Sequence, residues 1–417
     1  MNLIFLLAMQ IAAPASGPGA PPTAYIITIG PGDQSWEKFG HNMLEIRHAS
    51  DKYDDVAFNW GIFDFEAPNF YLNFLRGRLW YSMGGTTEAQ KVIDGYRDAD
   101  RTIWEQELNL SPAQVQALMD YCIWNSQKEN REYRYDYFRD NCSTRVRDAV
   151  DKALGGQIEK RAATQPSNLT FRSETNRLMA DDPFLYIALN YVLGHPTDRK
   201  LSAWDEMFIP MRFREQINEI SITDESGREV PLVRNEIVLN ASKHVFVREE
   251  PPNWVGWFTL AGTMLGGAIA ACGLALSRWR SKGLNRSIMK NRLIRWGFIG
   301  LATAWSFLAG FAGWFVIYAW TCTDHAATHP NENVLQFSPL AMPLIVLWPF
   351  VLRGWSKPAK AAWVLTALML GCSILGLFLK LLPMMNQING NMIALALPAN
   401  AGLAWAAWAL NPKRGLT

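Results

Sequence analysis

The chain has 417 residues, of which 49% are hydrophobic and 19% charged, with a formal net charge of +2 and a mean hydropathy of −0.05. Residues 1–253 hold 27 Lys and Arg against 36 Asp and Glu, a net charge of −9, whereas residues 254–417 hold 13 against 2, a net charge of +11. This composition excludes a disordered chain, a collagen and a small disulfide-rich protein, and the acidic polar part would repel the phosphates of a nucleic acid.

A short apolar segment, residues 3–12, precedes the small-residue pattern Ala13-Pro14-Ala15. This arrangement is typical of a signal peptide, here residues 1–15. No Lys or Arg precedes the apolar segment, so an uncleaved N-terminal anchor is the alternative. Either interpretation predicts that the acidic part of the chain is exported.

Strands are predicted where β-branched and aromatic side chains cluster or alternate with polar ones, and helices where a capping residue precedes an apolar stripe. In chain order, the predicted strands are 24–29, 41–48 and 55–63, and the predicted helices begin at Ser111 and near Cys142. Two further segments, residues 69–83 and 183–193, are rich in apolar and aromatic side chains. Each fits either a membrane interface or the protein core.

The helix that begins near Cys142 has Asp140 and Asn141 as candidate caps. A thiol in the first turn of a helix faces unpaired backbone N–H groups and the positive end of the helix dipole. Both stabilise a thiolate, and the same N–H groups can hold a developing oxyanion. Cys142 is therefore a candidate nucleophile. The alternatives are a buried first-turn residue and a disulfide with Cys122.

A Cys nucleophile needs a base, and His41 is the candidate because it begins a predicted strand directly after a turn. A His on a strand beside a Cys at a helix start is the geometry of a Cys–His pair, in which a third residue orients the imidazole. Asn59, between two aromatic residues on the next strand, is a candidate for that third residue. Asp64 is a second candidate, and a position facing solvent is the alternative for Asn59.

The rest of the chain predicts a small β-hairpin over residues 219–248, with its turn at 224–227, and five membrane helices of about 20 residues. The apolar segments are residues 255–277, 296–320, 339–352, 361–382 and 392–410. The loop after the first segment holds seven Lys and Arg and no acid, whereas the loops 321–338 and 383–391 hold no Lys or Arg. This alternation predicts that residues 24–253 lie outside the cytoplasm and the C-terminus inside it.

The loop between the second and third membrane helices contains Asp324, His325 and His329. A metal site there would need further carboxylates, which neighbouring segments do not offer, so neither a metal nor a cofactor is predicted. A hydrogen bond to a lipid headgroup or to the exported domain, and a role in ordering the loop, both remain open for these side chains.

The chain contains four motifs in the order S-x-x-x-F-G-H at 35–41, N-x-G-x-F-D-F at 59–65, D-N-C-S-T-R at 140–145, and G-H-P-T-D at 194–198 with F-I-P at 208–210. In this order they resemble the motifs of the Lnb-type bacterial lipoprotein N-acyltransferases. The match spans most of residues 24–212, with Phe58 where the family usually has Tyr, and the five-helix tail with its loop 323–333 also resembles the family's membrane part.

The resemblance implies an α+β, permuted papain-like (NlpC/P60-related) exported domain in which His precedes Cys, followed by an all-α five-helix transmembrane domain. It implies that Cys142 takes an acyl chain from a membrane phospholipid as a thioester, with His41 as acid and base and Asn59 as third residue. The acceptor would be the α-amine of the lipidated N-terminal Cys of a lipoprotein. The supporting or substrate-binding residues would be Ser35, Gly40, Asp64, Asn141, Ser143, Arg145, Asp324 and His325.

The expected organisation is a signal peptide (1–15), a periplasmic catalytic domain (24–218), a small β connector (219–253) and a transmembrane domain (254–411) in the bacterial inner membrane. Two other functions stay open. A membrane-anchored Cys hydrolase would cut peptidoglycan peptides or lipid esters, although a cell-wall peptidase does not need five membrane helices. A non-catalytic, membrane-tethered binding protein would be expected to have lost Cys142 or His41, and both are present.

Overall fold

The computed structural model describes residues 21–48, 55–243, 247–281 and 288–411, and the expected signal peptide lies outside these ranges. The strands are β1 (Thr23–Ile29), β2 (His41–Arg47), β3 (Val56–Ile62), β4 (Trp80–Thr86), β5 (Ile103–Leu108), β6 (Glu132–Arg134), β7 (Pro166–Thr170), β8 (Lys200–Ser202), β9 (Ser221–Thr223), β10 (Glu229–Pro231) and β11 (Val233–Asn240). The helices are α1 (Phe70–Leu75), α2 (Ala89–Asp98), α3 (Pro112–Ser126), α4 (Cys142–Ala153), α5 (Gln157–Ala162), α6 (Phe171–Leu178), α7 (Pro183–Val192), α8 (Ala203–Glu206), α9 (Pro210–Glu219), α10 (Val255–Ser281), α11 (Ile288–Cys322), α12 (Met342–Leu352), α13 (Ser356–Phe378) and α14 (Gly390–Ala409).

The chain divides into two compact units. The first comprises Met1–Asp181 with Lys200–Glu250, and the second comprises Asp182–Arg199 with Pro251–Thr417. The segment Asp182–Arg199, which was expected in the catalytic domain, therefore belongs with the membrane helices.

The first unit is built on a seven-stranded antiparallel sheet with the order β11-β5-β1-β2-β3-β4-β6. The predicted strands 24–29, 41–48 and 55–63 are confirmed as β1, β2 and β3. One face of the sheet, including Phe58 and Trp60, packs against α3, α4 and α9. The other face, including Ile27 and Met43, is covered by α2. Because side chains alternate along a strand, both faces of β1 to β3 are apolar and buried.

The predicted hairpin is present as β9 and β10, which pair antiparallel. The following strand β11 pairs with β5 at the edge of the large sheet instead of staying in a separate connector. This pairing satisfies the backbone groups of β5, and a salt bridge between Arg214 and Glu236 adds to it. Residues 219–253 are therefore in part an extension of the seven-stranded sheet.

Within its described residues, the second unit has five helices that are long and apolar enough to cross a membrane, as predicted. A cluster of polar side chains joins them. The Asn400 amide donates to Gln336 O (3.0 Å) and Ser373 Oγ (2.9 Å) and accepts from Trp305 Nε1 (2.9 Å). Such interhelical hydrogen bonds hold helices together where apolar burial alone does not. The spans are Val255–Arg278, Arg292–Cys322, Glu332–Leu352, Ser356–Leu381 and Gly390–Ala409.

Helix α7 joins the second unit through the loops between membrane helices. The Asn331 amide donates to Val192 O (2.9 Å), the Gln387 amide donates to Leu193 O (3.2 Å), and the backbone N–H of Gly194 donates to Ala327 O (2.8 Å). The first two bonds satisfy carbonyls at the C-terminal end of α7, which the helix itself leaves unpaired, and the third satisfies a carbonyl of the loop. The loop that contains Asp324 and His325 therefore binds a segment of the same unit through its backbone.

Candidate active site

The start of helix α4 is fixed by the side chain of Asn141. Its Oδ1 accepts hydrogen bonds from the backbone N–H groups of Ser143 (2.9 Å) and Thr144 (3.0 Å). Its Nδ2 donates to the carbonyls of Tyr137 and Phe208, both at 2.9 Å. One buried amide thus caps the helix and joins it to two other segments. These hydrogen bonds fix the first turn of α4 relative to both segments.

Two residues close to Cys142 in the chain, Ser143 and Arg145, also fix the start of α4. Ser143 Oγ donates to Met207 O (2.6 Å) and accepts from Asn42 Nδ2 (2.9 Å), which joins α4 to β2. Arg145 forms a two-point ion pair with Asp140, the residue before the cap. The residues around Cys142 in its motif therefore position the helix start.

His41 and Asn59 lie close together, on the neighbouring strands β2 and β3. His41 Nε2 is 3.0 Å from Asn59 Oδ1. An amide oxygen only accepts, so Nε2 carries the hydrogen and Nδ1 keeps its lone pair. Asp64, the other candidate for a third residue, is exposed, and its side chain accepts from the backbone N–H of Glu66 (2.8 Å). The geometry therefore favours Asn59 as the partner of His41.

Cys142 lies at the same end of the sheet as His41. The backbone N–H groups of Asn42, Ser143 and Cys142 itself are near enough to the sulfur to lower the pKa of the thiol, and Asn42 directly follows His41 in the chain. Gly61, after Asn59 on β3, has a φ of +87°, and a Cβ atom there would lie 3.5 Å from Cys142 Cβ. The structure thus brings the predicted nucleophile, base and third residue together. Cys122 and Cys142 are both free thiols, so the disulfide alternative is not realised.

Burial sets the protonation of this site. It raises the pKa of Cys142 above its ordinary value, and the three backbone N–H groups only partly oppose this. It also lowers the pKa of His41 to about 4, against the hydrogen bond to Asn59 and together with the charge of Arg101. The N–H groups at the helix start favour the thiolate, but desolvation outweighs them in the resting site. The thiol of Cys142 and the imidazole of His41 are therefore both neutral near pH 7.

We therefore expect iodoacetamide to alkylate Cys142 slowly at neutral pH, and about tenfold faster for each unit that the pH rises toward its raised pKa, because only the thiolate reacts. Mass mapping of the alkylated peptides across a pH series measures this rate. The exposed Cys322 serves as the reference thiol. A rate that stays flat from about pH 5 to 8 would instead reveal a preformed thiolate–imidazolium pair.

Arg101 and Tyr96 belong to this site, although no sequence pattern pointed to them. Arg101 is buried, and its Nε and Nη2 donate to Gly30 O at 2.9 and 2.6 Å. Its guanidinium lies 5.1 Å from the Tyr96 ring, which is 6.2 Å from the His41 ring. Arg101 reaches the site because β5 pairs with β1, a long-range contact that local spacing does not encode.

The remaining predicted residues have different positions. Gly40 has a φ of +81°, and a Cβ atom there would lie 2.6 Å from Ile29 O, so a Gly is required where the chain enters β2. Ser35 is exposed, in the turn before Gly40. Asp324 and His325 belong to the second unit. Among the described residues, no group of three His, Cys, Asp or Glu is arranged to hold a metal ion.

Comparison with known families identifies both units. Residues 20–177 match the family model described as the Lnb N-terminal periplasmic domain, and residues 286–404 match the Lnb transmembrane domain. Together the two matches cover more than half of the chain. Neither the curated proteins nor the solved structures contain a match. With both domains present in this order and five apolar helices of membrane length, the chain belongs to the Lnb family and is a multi-pass inner-membrane protein with a periplasmic domain.

Proposed function

We propose that this protein is a lipoprotein N-acyltransferase that moves an acyl chain from a membrane phospholipid, through a thioester on Cys142, to the α-amine of a lipoprotein's lipidated N-terminal Cys. The observation that carries the proposal is the site itself. A thiol with three backbone N–H groups nearby, one of them at the start of β2, is combined with a His–Asn pair on β2 and β3, in a chain whose described residues include five membrane-length helices. This arrangement suits acyl transfer at a lipid surface.

In the first half-reaction, Cys142 Sγ attacks the ester carbonyl of the phospholipid while Nδ1 of His41 takes the thiol proton. The backbone N–H groups at the start of α4 and at Asn42 are donors for the negative charge that develops in this step. The C–O bond of the ester then breaks, and His41 returns the proton to the leaving oxygen. The products are a lysophospholipid and an acyl thioester on Cys142.

In the second half-reaction, the neutral α-amine of the lipoprotein attacks the thioester carbonyl. His41 accepts a proton from the nitrogen and passes it to the leaving sulfur, so the thiol is regenerated and an amide is formed. Exclusion of water matters here because hydrolysis of the thioester would release a free fatty acid instead. A Cys hydrolase of lipid esters, one form of the alternative activity, would differ only in this second step.

Two further points form part of the proposal. A permuted papain-like fold is supported by a His on strand β2 that precedes a Cys at the start of α4, with an Asn paired to the His. A cytoplasmic C-terminus is supported by the basic residues of alternate loops, including Arg353, Lys357 and Lys360. In this arrangement Asn141, Ser143 and Arg145 position the nucleophile.

The proposal is tested by expressing the full chain in bacteria depleted of their own lipoprotein N-acyltransferase and examining lipoprotein N-termini by mass spectrometry. We expect N-acylated termini with the wild type and free α-amines with Cys142→Ala, because the covalent route needs the thiol. Cys322→Ala, which removes an exposed thiol of the second unit, is the matched control and should behave as wild type. Equal N-acylation with and without Cys142 would disprove the proposal.

A further inference from the structure

Helix α1 is unusual in the first unit because none of its residues is buried. Its apolar side chains face outward: Tyr71 is 70% exposed, Leu75 52%, and Leu72 and Phe74 42% each. Trp80, shortly after the helix, is 63% exposed. An apolar surface of this kind on a short helix is costly in water and is typical of a segment that contacts lipid or another apolar partner.

A row of aromatic rings connects this helix to the nucleophile. The centroids of consecutive rings are 4.3 Å apart for Tyr135 and Tyr81, 5.0 Å for Tyr81 and Phe63, and 6.1 Å for Phe63 and Phe70. Phe70 is the first residue of α1. We call these four residues the aromatic track.

The inner end of the aromatic track reaches the reactive thiol at Gly61. A Cβ atom on Gly61 would lie 3.5 Å from Cys142 Cβ and 3.9 Å from the Tyr135 ring. The missing side chain therefore leaves room for about one carbon atom between Cys142 and the first ring of the track. Each residue of the track is only half-buried, so part of each side chain remains exposed.

The charges near α1 fit a phospholipid rather than a soluble apolar ligand. Arg76 directly follows the helix and is exposed, and Arg78 lies two residues further on. Basic side chains next to an exposed apolar helix, with Trp and Tyr beside them, are typical of segments that lie in a membrane interface near lipid phosphates. The acids Asp64 and Glu66 precede α1, and Asp64 accepts from the backbone N–H of Glu66.

We infer that the aromatic track and the exposed face of α1 form the binding site for the acyl chain of the donor phospholipid. In this arrangement α1 lies in the outer surface of the membrane, and the acyl chain follows the track so that its ester carbon reaches Cys142. The inference rests on the proposed function, since it assigns the donor site of the same reaction.

A cross-linking experiment with the full-length protein tests the site directly. The protein is placed in vesicles of phosphatidylethanolamine and phosphatidylglycerol that contain a phospholipid with a diazirine in its acyl chain. After illumination, we expect lipid adducts within residues 63–81, with Tyr71 and Phe74 among the labelled positions. Adducts confined to the membrane helices, in a sample where Cys142 does become acylated, would overturn the inference.

Substitution provides a second test. In Tyr71→Ser/Phe74→Ser, we expect the ratio of Cys142 acylation by vesicle phospholipid to acylation by soluble p-nitrophenyl butyrate to fall by about tenfold, because less apolar surface enters the lipid. Trp124→Ser removes an exposed aromatic residue from α3, which the track does not include, and should leave this ratio unchanged. An unchanged ratio in both proteins would refute the donor site. No adduct on wild-type Cys142 from either reagent would instead refute the proposed function.

Discussion

His41→Ala is expected to slow acylation of Cys142 by phospholipid by at least about 10³-fold, because the neutral, buried thiol needs a base at the moment of attack. The rate is measured as the appearance of the acyl adduct by intact mass in a single turnover. His48→Ala, which removes a His after the other end of β2, is the matched control and should leave the rate near that of the wild type. A His41→Ala rate within about tenfold of the wild type would remove His41 from the mechanism.

The pH dependence of the same rate reports on His41 as well. Its pKa of about 4 means that the imidazole is still mostly neutral near pH 5.5, where a His with a pKa of 6.5 would be mostly protonated. The acid limb of the profile is therefore expected near pH 4. Asn59→Asp places a carboxylate beside Nε2, which favours the imidazolium and should move this limb to higher pH. A wild-type limb near 6.5 would contradict the buried, neutral His41.

The lowered pKa of His41 also makes the free energy of unfolding depend on pH. Between about pH 6.5 and 4 the unfolded chain binds a proton at His41 that the folded chain does not. The contribution of His41 to the free energy of unfolding is therefore present above pH 6.5 and is lost as the pH falls through about 4.

Asn141→Ala is expected to lower the free energy of unfolding by about 2–4 kcal/mol, since it removes a helix cap and leaves two buried carbonyls without their donor. It should also reduce acylation of Cys142 by at least about 10²-fold, because the N–H groups around the sulfur lose their fixed position. Denaturant unfolding and the single-turnover rate measure the two effects. Asn141→Asp keeps the cap acceptor but sets a carboxylate oxygen against the two carbonyls in place of their donor, so it should also be less stable than the wild type.

The matched control for Asn141 is the cap of another helix. Ser111 caps α3 through the backbone N–H of Gln114. Ser111→Ala should cost about 1 kcal/mol with little effect on acylation, since α3 begins away from the site. If Asn141→Ala and Ser111→Ala lowered stability and activity equally, the special role of Asn141 would be disproved.

Much of the architecture is encoded in short stretches of sequence. Strands β1 to β3 and helices α3 and α4 were predicted from alternation and from caps such as Ser111 and Asn141. The five membrane-length helices were predicted for the same reason, because length and hydropathy are local properties. His41, Asn59 and Cys142 were singled out from their positions in these elements, and the structure brings them together.

The features that could not be predicted from the sequence depend on contacts between residues far apart in the chain. Arg101 comes near His41 only because β5 pairs with β1, and β11 joins the sheet only because β5 offers an edge. Helix α7 was expected in the catalytic domain, but amides in the loops between membrane helices bind its last carbonyls. The raised pKa of Cys142 was missed as well, since desolvation depends on every segment packed around the thiol rather than on its place in a helix.

The thioester on Cys142 is the central intermediate of the proposed reaction. To test it directly, the purified full-length protein is incubated with phospholipid while its intact mass is followed. A peptide with a diacylglyceryl N-terminal Cys is then added. We predict that Cys142 gains the mass of one acyl chain, and that this mass then leaves the protein and appears, mole for mole, as an amide on the α-amine of the peptide. Acylated peptide without a prior adduct, or an adduct that yields only free fatty acid in the presence of the peptide, would contradict the transferase mechanism.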